Sequence, residues 1–180
     1  MDDPKVEIRE CVAADFEAMY ATINAAAAAF RDIIPADRWH EPYMPREELT
    51  REIADRVRFS CAVVEGRVVG VMGLQRKRDV CLIRHAYVVP ALQSRHIGAT
   101  LLHHLAARAE FPMLLGTWRA NARAISFYER HGFQLVGEDH RERLLRTYWQ
   151  IPDRQIEESI VMADATWVAL HGTDHSGGTL

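Results

Sequence analysis

Apolar residues recur along this chain with two different periods, and the switches between them order its predicted elements. Val6 and Ile8 alternate with polar neighbours and predict a short first strand. Phe16, Met19, Ile23, Ala26, Ala27 and Phe30 then recur at helical spacing, a stripe read as core rather than as a cofactor surface. Pro45 is placed to open a second helix, whose Leu49, Ile53 and Val57 lie four apart. Phe59 to Val64 and Val68 to Leu74 are strand-like runs on either side of Glu65-Gly66-Arg67, a hairpin signal. Val80 to Val89 is rich in β-branched and apolar residues, and Pro90 closes it because proline cannot donate to a ladder. Leu101, Leu102, Leu105, Ala106 and Ala109 mark a third helix, Met113 to Trp118 a strand, and Asn121 to Arg130 a helix ended by Gly132. Phe133 to Gly137 and Ile156 to Met162 complete the strands. Antiparallel hairpins therefore come first and a βαβ arrangement follows, which predicts a mixed α/β sheet flanked by helices.

The segment from Glu138 to Arg146 is nearly all charged, and Leu144 to Pro152 mixes large apolar residues with a proline stop. It is read as a solvated connector, with a cover over a cleft or a subunit contact through a homodimer as the alternatives. At 180 residues the chain fits one domain, taken as residues 1–170, and the small polar tail 171–180 is expected to be disordered rather than metal-binding. A net charge of −3 with dispersed Lys and Arg offers no basic face for nucleic acid. The longest nonpolar run, Ala25 to Phe30, is too short to cross a bilayer, and Met1-Asp2-Asp3 does not begin as a signal peptide does. A cytoplasmic protein without membrane or metal partners is the expectation. Cys11, Cys61 and Cys81 are read as buried free thiols.

Between the strand ending near Val89 and the helix beginning near Ile97 stands Gln93-Ser94-Arg95-His96-Ile97-Gly98-Ala99. No Ser, Thr, Asp or Asn occupies the expected cap position, so the first helical amides lack an obvious side-chain partner. A bound phosphate fits there, because small residues admit a ligand to the backbone and the helix dipole favours negative charge. A plain tight turn is the other reading. A loop holding Trp39, His40, Glu41, Pro42 and Tyr43 concentrates aromatic and titratable groups, which either line a pocket or pin helices together.

Two motifs carry a resemblance. Gln93 to Gly98 follows Q/R-x-x-G-x-G/A except that His96 replaces the first glycine, and Asn121-Ala122-Arg123-Ala124-Ile125-Ser126-Phe127-Tyr128-Glu129-Arg130-His131-Gly132-Phe133 follows N-x-x-A-x-x-F-Y-x-x-x-G-F. With a strand before each, residues 5 to 163 resemble the GNAT superfamily of acyl-CoA-dependent N-acyltransferases, Ala86 to Phe133 being the specific part. The resemblance implies a mostly antiparallel central sheet with splayed parallel central strands, and acetyl-CoA as co-substrate with no metal. It places the diphosphate on Gln93, Ser94, Arg95, His96, Ile97, Gly98 and Ala99, the pantetheine arm on Asn121, and the Tyr128 hydroxyl beside the thioester sulfur. It also implies that the backbone N–H near Val88 polarises the acyl carbonyl.

Acyl transfer to an amine needs a proton donor for the leaving thiolate and an acceptor for the amine proton. Tyr128 fits the first role, since a phenol with an ordinary pKa of about 10 is protonated at neutral pH. For the second, the strand before the loop offers no Asp or Glu. Strict alternation would set Leu82, Arg84, Ala86 and Val88 on one face and Cys81, Ile83, His85 and Tyr87 on the other. Glu41, His85 and a water chain remain as bases, with His40 beside Glu41. Trp39, Tyr43 and Arg84 are the candidate acceptor contacts, Arg84 because its fork suits a carboxylate unless a surface ion pair occupies it. The acceptor expected is a primary amine of a small molecule or peptide. A non-catalytic acyl-CoA sensor and a protein-interaction domain are the competing readings.

Overall fold

The computed structural model describes residues 5–93 and 95–172. Strands β1 (Val6–Glu10), β2 (Arg58–Val64), β3 (Arg67–Lys77), β4 (Val80–Val88), β5 (Met113–Trp118), β6 (Gln134–Leu135) and β7 (Ser159–Ala163) are accompanied, among the described residues, by seven α-helices. These are α1 (Phe16–Ala27), α2 (Arg46–Ala54), α3 (Ile97–Ala106), α4 (Ala122–Glu129), α5 (Glu138–Tyr148), α6 (Asp153–Glu157) and α7 (Ala165–His171). The sheet has seven strands in the order β1-β2-β3-β4-β5-β7-β6 and is mostly antiparallel. Among the described residues its one parallel pair is β4 with β5, whose connection carries α3, as a parallel crossover requires.

The chain divides into two compact units, residues 1–76 with 83–110, and residues 77–82 with 111–180. In the first, β1 and β2 pair antiparallel with Arg9 opposite Cys61, and the β2–β3 hairpin turns through Glu65 and Gly66, both at positive φ. The core of this unit gathers Met19 and Ile23 of α1, Met44, Leu49 of α2, and Val57, Phe59, Cys61, Val63 and Val71. Gly70 of β3 is where α3 comes down on the sheet. A Cβ there would lie 3.2 Å from Ile97 Cγ2, 3.2 Å from Leu101 Cδ1 and 3.3 Å from Val88 Cγ2. The expected α2 stripe holds at Leu49, whereas Ile53 is exposed.

In the second unit β7 lies between β5 and β6, with Gly116 opposite Val161. Its core joins Val80, Leu82, Leu114, Val136, Leu144, Leu145, Ile156, Val161, Ala163 and Trp167. The solvated connector expected after residue 137 is corrected here: α5 and α6 fill that stretch, and Leu144 and Leu145 are buried. Two apolar residues one helical turn from Tyr148 suffice to dock an otherwise charged helix. Arg141 ties α5 down by donating to the carbonyls of Ile156 (2.6 Å) and Ser159 (3.0 Å). Tyr148 donates to Asp79 Oδ1 at 2.7 Å, and Trp149 covers Gly116. Tyr148 and Trp149, both half-buried, thus pack against this unit's own core. The tail from 173 onward lies outside the described residues.

Candidate active site

At the end of β4, Gln93 Nε2 donates to the Val88 carbonyl at 3.0 Å, which folds the loop back on the strand that precedes it. His96, the residue in place of the motif's first glycine, has φ 59° and ψ 3°, and its side chain is exposed. A left-handed conformation normally favours glycine, since a Cβ there costs roughly 1–2 kcal/mol. The turn keeps a glycine's backbone without the glycine. Among the described residues no side chain caps α3, as the sequence predicts, and the Thr100 N–H returns to the His96 carbonyl (2.9 Å). The amides of Ile97, Gly98 and Ala99 therefore precede the first intrahelical bond, a donor set suited to an anion. Arg95 is exposed on the same loop, and Ser94 lies outside the described residues.

Further back on β4 the strict alternation expected from the sequence fails. His85 has φ 51° inside the strand. As a result Arg84 and His85, neighbours that a regular strand would send to opposite faces, both reach Glu52 of α2. Arg84 Nη2 lies 2.9 Å from Glu52 Oε1 and 2.8 Å from Oε2, and His85 Nε2 lies 2.9 Å from Oε2. The last contact is too far out of line to count as a fully formed hydrogen bond. Arg84 Nη1 also donates to Gln75 Oε1 (2.7 Å), and Gln75 Nε2 donates to the carbonyl and carboxylate of Asp55 (2.8 and 2.7 Å). Burial pushes the Glu52 carboxyl up, but His85 and Arg84 outweigh it, so Glu52 titrates below its usual value. Phe59 of β2 stacks on the His85 ring at 5.9 Å. The carboxylate that Arg84 meets is thus one of the chain's own.

The aromatic loop folds into a cluster. Trp39 and His40 stack on Tyr43 at 5.6 and 6.3 Å, and Tyr43 and Phe30 meet Tyr87 of β4 edge-on at 6.2 and 6.0 Å. Burial raises the pKa of Tyr43. Glu41 stays exposed beside Arg31 (3.3 Å) and Trp39 Nε1 (3.4 Å), while His40 Nδ1 contacts the Pro42 carbonyl at 2.8 Å. Trp39 and Tyr43 are therefore brought together with Tyr87, whereas Glu41 turns to the loop's own Arg31.

In the second unit, Asn121 Oδ1 accepts from the Ala124 N–H (3.2 Å) and Nδ2 donates to Thr117 Oγ1 (3.4 Å). Asn121 is thereby the cap of α4, and it is buried. Tyr128 is buried in edge-on contact with Phe127 (5.0 Å) and Phe133 (5.5 Å), and burial raises its pKa, so the phenol holds its proton more firmly than a free tyrosine. No hydrogen bond to its hydroxyl occurs among the described residues. Gly132 at φ 85° ends the helix, and the Phe133 N–H returns to the Tyr128 carbonyl at 3.0 Å.

Glu52 is the residue that sequence reasoning misses. Its only trace is a carboxylate three positions from the buried Leu49, on the inward side of α2, with nothing to say which strand it faces. Arg84-His85, two adjacent polar residues in a β-branched strand, is the matching hint on the other side.

A mixed sheet with one parallel pair, an uncapped helix after β4 and the Asn121-to-Phe133 helix after β5 define an acetyltransferase fold. The chain belongs to the GNAT acetyltransferase family, which it matches over residues 19–133. Solved structures with the same fold include the PaiA N-acetyltransferase of Thermoplasma acidophilum in complex with coenzyme A. It is 18% identical, with 89% of this chain and 98% of that one covered and a TM-score of 0.67. The ribosomal-protein-S18-alanine N-acetyltransferase of Escherichia coli is 20% identical over 89% of this chain and 93% of that one, with a TM-score of 0.63. A GNAT family acetyltransferase of Brucella melitensis in complex with acetyl-CoA is 19% identical over 73% and 84%, with a TM-score of 0.55. At these identities the likeness is one of fold. No curated protein matches the chain significantly in sequence. No helix among the described residues is long and apolar enough to cross a membrane.

Proposed function

We propose that this chain moves an acetyl group from acetyl-CoA to a primary amine of a small molecule or peptide, by direct transfer without a covalent enzyme intermediate. Acetyl-CoA, when bound, supplies the activated acyl group and a thiolate leaving group. The residues present suit it. The observation that carries the reading is the amino end of α3, where His96, standing at the motif's first glycine, takes a left-handed backbone and no side chain among the described residues caps the helix. The amides of Ile97, Gly98 and Ala99, with Gln93, Arg95 and His96, are assigned to the diphosphate, and the motif adds Ser94 to that set. The Val88 N–H is assigned to the acyl carbonyl, and the Tyr128 hydroxyl to the departing sulfur. Asn121 is assigned to the pantetheine arm through the amide hydrogen that its capping role leaves over.

A buried phenol is a sound proton store. Desolvation keeps Tyr128 neutral, so it can donate a hydrogen bond to a thiolate forming beside it, while the same burial makes the phenol a weaker acid. Tyr128→Phe keeps the ring packing and removes only the hydroxyl. Turnover should fall by about 10²-fold or more, with the coenzyme A dissociation constant from calorimetry unchanged. Unchanged turnover would remove Tyr128 from the mechanism. Coenzyme A binding without thiol release across a panel of amines would instead mark a sensor module.

A further inference from the structure

We infer that His85 is the proton acceptor for the amine and that Glu52 is its positioning residue. This rests on the acetyl-transfer reading above. The inference starts from a strained residue. Among the described non-glycine residues at positive φ, Arg56, Glu65 and Arg78 lie in turns and His96 opens a helix, while His85 alone stands inside a strand. Backbone strain of this kind persists only where surrounding structure holds it, and it concentrates at functional sites.

What holds it here is specific. Nε2 of His85 is buried 2.9 Å from Glu52 Oε2, and the same carboxylate is gripped by Arg84 Nη2 at both oxygens. Gln75 and Asp55 hold Arg84 in turn. The charged groups facing the imidazole are thus Glu52 from α2 and Arg84 from β4, with Asp55 behind Gln75, and Phe59 of β2 covers one ring face. The side chains of Glu52 and His85 are 18% and 14% exposed, enough shelter to strengthen their attraction.

A carboxylate on Nε2 favours the tautomer with its hydrogen there and leaves the lone pair on Nδ1. Nδ1 makes no hydrogen bond among the described residues and is not sealed from solvent as Nε2 is. A ring that faces a buried carboxylate at one nitrogen and is open at the other has the form of a base that a small reorientation would align. Tyr87, two residues further along β4, makes edge-on contacts with Phe30 and Tyr43.

The proton balance closes. As the amine nitrogen bonds to the acyl carbon and the carbon–sulfur bond breaks, one amine proton passes to His85 Nδ1. One proton from the Tyr128 hydroxyl passes to sulfur. Exchange with solvent then restores both side chains, and the imidazolium formed in between faces the Glu52 carboxylate.

The test uses the full chain, acetyl-CoA, and amino acids, polyamines and short peptides as amine probes, with released thiol as the signal. His85→Gln should lower kcat by about 100-fold or more, with coenzyme A affinity and melting temperature retained. Glu52→Gln should lower kcat by about tenfold without changing the KM for acetyl-CoA, and Glu52→Asp should recover part of the loss. The ¹⁵N spectrum of the native protein needs no substitution. It should show His85 as the Nε2–H tautomer, and Glu52→Gln should turn that into a mixture. Native-like thiol release by His85→Gln, or an Nδ1–H tautomer in the native protein, overturns the inference and leaves acetyl transfer standing. No thiol release by the native chain with any of these amines overturns the acetyl-transfer reading, and this inference with it.

Discussion

Both α3 and α4 begin at a turn that follows a strand, yet their amino ends are finished in opposite ways. α4 is closed, because Asn121 accepts the Ala124 N–H and anchors its other end to Thr117. α3 is open, because a left-handed His96 stands at its cap and contributes no side-chain bond. The two helices also derive their rigidity from different places. α4 is fixed at its end by the cap, which steadies the helix that carries Tyr128 into its aromatic pocket. α3 is fixed from the side, by Ile97 and Leu101 against the space left at Gly70. A helix held by its flank does not need its amino end for stability, and that end is then available to a ligand.

The comparison breaks most readily at Ala99. Aspartate near a helix start complements the dipole, so Ala99→Asp should hold or slightly raise the melting temperature. The same carboxylate opposes a diphosphate, and coenzyme A affinity should fall by about 100-fold, close to 3 kcal/mol. Undiminished affinity in calorimetry would show that the open end is not where the diphosphate sits. Asn121→Ala comes next. Loss of the cap should cost about 1 kcal/mol in urea unfolding, and a variant as stable as the parent would mean that α4 does not depend on its end. The smallest effect belongs to His96→Gly. It relieves the left-handed strain but frees the unfolded chain, so stability should move by less than about 1 kcal/mol. Coenzyme A affinity should change less than about threefold, a few tenths of a kcal/mol. A tenfold loss would instead give the imidazole a place against the phosphates.

Much of this was legible before any coordinates. The β2–β3 hairpin follows from Glu65-Gly66, β5 from the run Met113 to Trp118, and the end of α4 from Gly132, because each depends on residues close in sequence. The missing cap of α3 was equally visible. The stretch after residue 137 was not, since its charges outnumber Leu144 and Leu145, and only the surrounding core shows that two leucines are enough to dock it. The β4 alternation failed for a related reason: a periodic pattern carries no mark of the one residue that leaves the β region.

Local chemistry, then, settled the order of elements, the turn residues and the two motifs, because propensities and spacings act over a few residues. Tertiary packing decided what stands beside His85. Glu52 lies 32 residues before Arg84, and their meeting depends on how α2 docks against the sheet and on a backbone strain that this docking sustains. A contact of that separation is an outcome of the whole core, and no window of the chain contains it.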